Sequence, residues 1–429
     1  TPTGYPAAIR FALGKGQIAL LFYDPPATVA RLRFGDPDLA SIPTMGFRYD
    51  PRPADLFLGH LDLSRGHLPQ ADLHCNLLSN LAVTMSPTPI PRLWYYPLPQ
   101  QWSVMPMKSD DDWSTPEQFD ALLAALEQRD GHCSFYLVRD TKLTDNEVKR
   151  RRAAGHGFGF HPNPRSQADE DPYFTMEETL REDAEGFRRR YGFGARTTEI
   201  HSGFWKGYMD LVPAFERVGL EMVVAYTSLR AAFGKHMTGS CRPMPFIDET
   251  GRIYRVYQQS TLLYDDASVE DILTNGVDSE LARAARLLDD AVNVTYSPIG
   301  LQSHPVSFAT YSGRYISGCL DLAKERGVPI ISMDEWVEFT LRRDGASIDL
   351  RSADGVGLEC DLKTGDRGGE VTAAIPVPDG CRATSATVSG RRIEPTVIPI
   401  MGLQYALVPV AAGSAHTSSH IRVEFGEDG

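Results

Sequence analysis

The chain contains no run of about 18 apolar residues, so no helix of it is built to span a bilayer. Positive charge is in deficit, with 43 Lys and Arg against 56 Asp and Glu and a formal net charge of −13. That balance argues against a nucleic-acid partner and against an anionic membrane surface. Cysteine is scarce: the six are Cys75, Cys133, Cys241, Cys319, Cys360 and Cys381, and none is spaced as C-x-x-C. A structural zinc knuckle is therefore not expected. Cys360 and Cys381 fall in the same C-terminal segment and are candidates for a disulfide. Cysteine usage leaves the compartment open, with secretion or the cell envelope preferred over the cytoplasm. Gly14-Lys15-Gly16 lacks the G-x-x-x-x-G-K-[S/T] spacing of a phosphate loop, and Gly155-His156-Gly157-Phe158-Gly159 misses the dinucleotide spacing G-x-G-x-x-G. There is no G-x-S-x-G elbow, no local signature of a cysteine nucleophile, no internal repeat and no low-complexity tract. The chain starts with Thr1, from which a processed or trimmed N-terminus is expected.

What is present suffices for two or three domains in 429 residues. Residues 1–100 read as an α/β segment, with a buried strand over 17–23, a helix over 73–84 and a proline-rich link over 86–91. Residues 101–342 alternate strand and helix. Strands are predicted over 104–108, 134–139, 157–160, 197–200, 222–226, 291–296 and 328–331. Helices are predicted over 146–154, 176–190, 208–218, 279–289 and 311–326, with another from Met333. A further helix begins at a Ser114/Thr115 cap with Pro116 in its first turn and puts Phe119, Leu122, Leu123 and Leu126 on one face. Repeated β/α units imply a parallel sheet with helices outside it, open or closed into a barrel. Residues 343–429 change to short alternating strands between Gly, Asp and Pro turns, the pattern of a small β-sandwich.

The polar residues at the predicted C-terminal ends of the strands are few. Asp110-Asp111-Asp112 follow the first strand, His161 follows 157–160, His201 follows 197–200, and His304 follows 291–296 across a Pro/Gly turn. Three adjacent carboxylates repel one another, and a cation or a reaction needing two of them would offset that cost. The same triplet also suits a helix start, because Ser114-Thr115-Pro116-Glu117 follows at once. A carboxylate and two imidazoles make a ligand set for a borderline divalent ion, with positions left for water and substrate. A second carboxylate can then take a proton from water and a remaining histidine can protonate a leaving group. His156 is odd-spaced from His161 and reads as structural. Tyr257-Gln258-Gln259 and Asp265-Asp266 lie in an irregular stretch that is a candidate cleft lining.

At this point residues 101–342 resemble the polysaccharide deacetylases of carbohydrate esterase family 4. Lys108-Ser109-Asp110-Asp111-Asp112 looks like that family's T-F-D-D-G motif. Gly155 to Arg165 looks like its G-H-E-x-x-x-H-[S/T]-x-x-H motif, with His161 in the first ligand place and Arg165 where the second ligand histidine would stand. Arginine has no lone pair to give. The stretch from Arg196 to Trp205 is similar to the arginine-containing third motif, with His201 added, and His304-Pro305 to the last.

The resemblance implies a distorted (β/α) barrel binding Zn²⁺ or another divalent transition metal such as Co²⁺ or Ni²⁺. It implies Asp110 as general base and His304 as general acid. The ligands would be Asp111, His161 and His201, with Asp112 in place of Asp111 as an alternative register. Arg196, Trp205 and Gln259 are expected to face the substrate. The expected activity is hydrolysis of an acetyl or other acyl group on an amino sugar or polysaccharide, with metal-bound water as the nucleophile. Hydrolysis of a non-peptide C–N bond in a small molecule and a metal-free sugar-binding relic are the alternatives.

Overall fold

The computed structural model describes residues 4–40, 53–57, 68–163, 176–205, 207–227, 242–265, 272–411 and 414–427. It is an α/β structure with several sheets. Among the described residues, strands β1 (Ala8–Leu13) and β2 (Gly16–Leu21) pair only with each other, as an antiparallel hairpin. The sequence predicted a buried strand here. The hairpin instead leaves Phe11, Leu13 and Leu20 exposed and none of its residues fully buried. Helices α1 (Pro25–Phe34) and α2 (Gln70–Met85) follow, and then β3 (Arg92–Leu93), which pairs with a strand of the C-terminal region.

Strand β4 (Met105–Asp110) is buried at every position. From it the chain runs through α3 (Pro116–Glu127), β5 (Ser134–Leu137), α4 (Asp145–Ala153) and β6 (Gly157–Phe160). It continues through α5 (Met176–Tyr191), β7 (Thr197–Thr198), α6 (Val212–Arg217) and β8 (Met222–Thr227). Strands β9 (Met244–Ile247), β10 (Ile253–Thr261) and β11 (Leu263–Tyr264) occupy the stretch that carried no sequence signal. Helix α7 (Val277–Asp290), β12 (Leu301–Ser303), α8 (Gly313–Glu325), β13 (Ile330–Ser332) and α9 (Met333–Asp344) complete the series.

One sheet has the order β11-β12-β4-β5-β6 and is parallel throughout. Strand β13 joins the early half of β4, with Ile330 opposite Met105, while β12 pairs with its later half, with Leu301 opposite Met107. A second sheet has the order β7-β8-β10-β9. The two sheets meet at both ends. Strand β10 runs into β11 after one residue, and the Thr198 hydroxyl donates to the Phe160 carbonyl at 2.8 Å where β6 faces β7. Gly159 makes that approach feasible, since a Cβ there would stand 2.3 Å from the Thr197 carbonyl oxygen.

Helix α3 carries a capping box between Thr115 and Gln118 and buries Phe119, Leu122, Leu123 and Leu126, the face read from their spacing. Residues 291–296, predicted as a strand, extend α7 as a π-helical turn (Ala291–Thr295) that ends at Tyr296 with φ 51°. Alternating Val292 and Val294 mimic strand spacing, but Ala291 and Thr295 are the residues buried. His304 therefore follows β12 directly.

Beyond α9 the strands are β14 (Ser347–Asp354), β15 (Gly357–Lys363), β16 (Val371–Pro376), β17 (Cys381–Val388), β18 (Arg391–Ile393), β19 (Thr396–Ile400), β20 (Leu403–Val410) and β21 (Ser418–Glu427). They form antiparallel sheets of order β14-β15-β21-β17-β18 and β19-β20-β16-β3, which share one core including Leu358, Leu362, Ile421, Ile375, Tyr405 and Leu407. The edge strand β3 comes from the segment assigned by sequence to residues 1–100, so that segment is tied into the C-terminal sheets. Cys360 and Cys381 are free thiols and not a disulfide.

Candidate metal centre

Strand β4 delivers the acidic triplet, and the turn after it decides which carboxylate does what. Asp112 (φ 43°) and Trp113 (φ 57°) both adopt left-handed backbone. For residues with a Cβ each such conformation costs roughly 1–2 kcal/mol. Asp111 anchors the turn: its carboxylate accepts the Ser114 amide at 3.2 Å and the Val138 amide at 3.3 Å, and its own amide donates to the Tyr136 carbonyl at 2.9 Å. Burial pushes the Asp111 carboxyl up to about 6, against hydrogen bonds from Thr141 and Val138 that pull it down.

With Asp111 turned into the backbone, Asp112 is the carboxylate aimed at the histidines. Its Oδ1 lies 3.5 Å from His161 Nε2 and 3.7 Å from His201 Nε2. The first-choice ligand Asp111 is thus displaced in the geometry by its neighbour, because the left-handed turn points the two side chains different ways.

His161 stands at the end of β6 and is 3% exposed, while His201 opens a short 3₁₀ turn after β7. His161 Nδ1 faces the Glu199 main-chain carbonyl at 2.9 Å. A carbonyl only accepts, so Nδ1 carries the hydrogen, and a neutral ring keeps its Nε2 lone pair toward Asp112. This main-chain contact is the kind that orients a metal-binding imidazole. The two histidine rings meet edge to face with centroids 5.3 Å apart.

One ligand atom from each of Asp112, His161 and His201 lies within 4.8 Å of the others. Ligand atoms at about 2.1 Å from a tetrahedral zinc stand about 3.4 Å apart, close to the 3.5 and 3.7 Å separations present. Asp112 Oδ1 is also buried with no hydrogen-bond partner. The donor set, its spacing and that oxygen fit a divalent ion.

The electrostatics agree in direction. Burial opposes charge on Asp112, but the neighbouring His161, His304 and His201 charges hold its carboxyl well below the usual range. Burial would lower His161, yet Asp110 and Asp112 raise it to about 9. Each group thus holds the other in its charged form, and a cation would take over the role of the His161 proton.

Beside this set stand Asp110 and His304. His304 Nε2 is 3.7 Å from Asp110 Oδ2 and 3.7 Å from Asp112 Oδ2. The Gln302 side-chain amide donates to Asp110 Oδ2 at 2.6 Å, and Asp110 Oδ1 is buried with no hydrogen-bond partner. Burial raises the Asp110 carboxyl against the nearby His161, Lys108 and His304 charges. Asp265 accepts the His304 main-chain amide at 2.8 Å and faces its Nδ1 at 2.9 Å, which leaves Nε2 directed toward Asp110 and Asp112. Beneath them Lys108 pairs with Glu199 and also donates to the Val224 carbonyl at 2.8 Å. Burial pushes the Glu199 carboxyl up to about 7 against the Lys108 charge.

Three expected substrate residues lie elsewhere. Arg196 precedes β7 and pairs with Glu221 at 2.5 Å and Glu338 at 2.7 Å, at the end of the sheet where strands begin. Trp205 is fully buried against Phe215, Tyr226 and Phe246, and its indole N–H donates to the Tyr208 carbonyl at 2.8 Å. It is core, not an aromatic wall. Gln259 is also fully buried, with its carbonyl accepting the Trp336 indole N–H at 2.7 Å. Arg165 and Asp266 lie outside the described residues.

The residues missed were Trp113, Gln302 and the pairing of Asp265 with His304. Trp113 is 38% exposed, meets His201 edge-on at 5.6 Å and donates its indole N–H to Asp140 at 2.8 Å. An exposed aromatic directly after an acidic run was the available signal. Gln302 is two residues before His304 and thus shares its strand face. His156 is structural as read: its Nδ1 accepts the Cys133 amide at 3.3 Å, and burial lowers it to about 4.

No family model matches the chain and no curated protein matches it. Among the described residues no helix is long and apolar enough to cross a membrane. The solved structures the chain is similar to are polysaccharide, peptidoglycan and chitin deacetylases. A polysaccharide deacetylase from Bacillus cereus matches at 17% identity over 54% of this chain and 91% of its own, with a TM-score of 0.34. The peptidoglycan deacetylase PdaC from Bacillus subtilis matches at 12% identity over 57% and 95%, with a TM-score of 0.36. The chitin deacetylase of the fungal pathogen Colletotrichum lindemuthianum matches at 16% identity over 55% and 88%, with a TM-score of 0.36, and a variant of a pseudoenzyme of carbohydrate esterase family 4 is also among the matches.

Proposed function

We propose that the chain is a metal-dependent deacetylase that removes an acetyl group from an amino sugar within a glycan. The observation that carries this reading is the Asp112 oxygen, buried without a hydrogen-bond partner between His161 and His201, with Asp110 and His304 beside it. Residues 101–342 are read as a distorted (β/α) barrel formed by the parallel sheet and the mixed sheet β7-β8-β10-β9, and residues 343–429, with β3, as a β-sandwich. The segment 1–100 supplies that edge strand and the helices α1 and α2.

Asp112, His161 and His201 would hold the ion, with Zn²⁺, Co²⁺ or Ni²⁺ suited to one carboxylate and two imidazoles. When bound, such an ion acidifies water and polarises the acetyl carbonyl. Asp110 then takes the proton of the attacking water, its desolvation making it a better base. Water oxygen bonds to the carbonyl carbon, the C–N bond breaks, and His304 Nε2 delivers a proton to the departing amine. Asp265 fixes the ring so that Nε2 faces the bond being cleaved. The exposed face of Trp113, held by Asp140, is placed for contact with a sugar ring beside His201.

The test is metal content together with acetate release from N-acetylated chito-oligosaccharides, in wild type and His161→Ala. Metal and activity should be lost together. Full acetate release by His161→Ala would end the proposal.

A further inference from the structure

A second site of different character lies at the opposite end of these sheets. A cavity of ≈ 350 Å³ is enclosed by α1, α2, β3, β9 and α9. It is of ligand size. Its position follows from Arg33, which is 1% exposed and donates to the Gln258 carbonyl at 3.0 Å. Gln258 sits opposite Val223, near the first residue of β8, so the cavity lies where strands begin and Asp110–Asp112 lie where they end.

Four arginines from four separate stretches of chain converge there: Arg33, Arg92, Arg242 and Arg343. Three of them crowd one ring. The guanidinium carbons of Arg242, Arg92 and Arg343 stand 3.8, 5.1 and 5.9 Å from the Tyr95 centroid. Among the described lining residues only Asp72 and Asp344 carry negative charge. Asp72 is engaged by Arg242 Nε at 3.1 Å, and Asp344 by Arg343 at 3.1 Å and the Tyr257 hydroxyl at 2.5 Å. Arg92 has one Nη bonded to the Tyr95 hydroxyl, and its other, Nη1, is buried with no hydrogen-bond partner.

Packing like charges around a cavity is costly unless something of opposite charge enters, and a buried guanidinium N–H without an acceptor adds to that cost. Guanidinium forks match the planar or tetrahedral oxygens of carboxylate and phosphate. In a chain of net charge −13, such a concentration of arginine is also against the overall trend.

We propose that this cavity binds a small dianionic oxyanion, held by the converging charges of Arg92, Arg242 and Arg343. Phosphate monoesters and dicarboxylates share that chemistry. The site is separate from the candidate metal centre and does not depend on it.

The experiment is calorimetric titration of the full chain with inorganic phosphate and with succinate, against sodium chloride at matched ionic strength. One-site binding is expected for one or both anions, with a Kd of about 1 mM or tighter, and chloride should give no saturable heat. Arg92→Gln should weaken binding about tenfold or more, the loss of one lining charge. Arg217→Gln, which removes an exposed ion pair with Glu177 far from the cavity, should leave it unchanged. If Arg92→Gln yields no folded protein, Arg343→Gln is read in its place with the same expectation. Absence of saturable binding by both anions to wild type, or binding unchanged in the arginine variant, overturns the proposal.

Discussion

Replacing Asp265 by Asn tests the catalytic half of the site without touching the ligand half. The Asp265 carboxylate serves the His304 main-chain amide at 2.8 Å and the Ser303 hydroxyl at 3.3 Å through one oxygen and the His304 Nδ1 at 2.9 Å through the other, and its side chain is 0% exposed. An amide side chain has one acceptor oxygen. The main-chain N–H cannot do without it, so the amino group of the substituted side chain would face Nδ1. A neutral ring tolerates this by accepting at Nδ1, but an imidazolium would set N–H against N–H. The protonated ring thus loses a charge-assisted hydrogen bond of about 1.5–3 kcal/mol. If His304 must be protonated to release the amine, kcat falls about 10- to 150-fold. The assay is kcat for acetate release from an N-acetylated chito-oligosaccharide, with metal content measured on the same preparation. Metal should be unchanged, because Asp265 is not one of the residues that would hold the ion. A kcat within about twofold of wild type refutes the role given to His304, and a fall matched by metal loss refutes the separation of the two halves.

Two further predictions concern buried side chains. Trp205→Ala should cost about 3–5 kcal/mol of stability, as expected for emptying a buried aromatic site, measured by denaturant unfolding; a loss confined to substrate KM at unchanged stability would restore the aromatic-wall reading. His156 is held neutral down to about 4, against 6.5 for an ordinary histidine, because burial and the neighbouring His132 charge oppose protonation. Between those values the unfolded chain binds a proton that the folded chain does not, so stability rises with pH from about 4 to 6.5 and is flat above. The contribution is at most about 3 kcal/mol, and His156→Gln should flatten the slope of unfolding midpoint between pH 4.5 and 6.5. Equal slopes in both proteins would refute the assignment.

Much of the site was legible because strand ends are legible. A four-residue strand followed by histidine, as at Gly157–Phe160 and His161, needs only local pattern, and so does the α3 cap after the acidic triplet. Choosing among Asp110, Asp111 and Asp112 was beyond the sequence, because the choice rests on two consecutive left-handed residues and on which amides, Ser114 and Val138, capture Asp111. Trp205 and Gln259 failed as substrate residues for a different reason. Polar or aromatic character does not reveal burial, and each satisfies its polar group inside the molecule, at the Tyr208 carbonyl and the Trp336 indole. The strand expected over 291–296 failed because alternating valines fit two periods at once, and the continuation of α7 decided the matter. Strand β3 was missed because two residues carry no periodicity; only the sheet waiting beside them makes them a strand.

The most direct test of the central claim is metal per chain in wild type, Asp112→Asn and Asp111→Asn, each purified and then equilibrated with limiting zinc. The account predicts about one ion per chain in wild type, the number one set of Asp112, His161 and His201 can hold. It predicts loss in Asp112→Asn and retention in folded Asp111→Asn. Retention in Asp112→Asn with loss in Asp111→Asn, or no zinc in wild type, would contradict it.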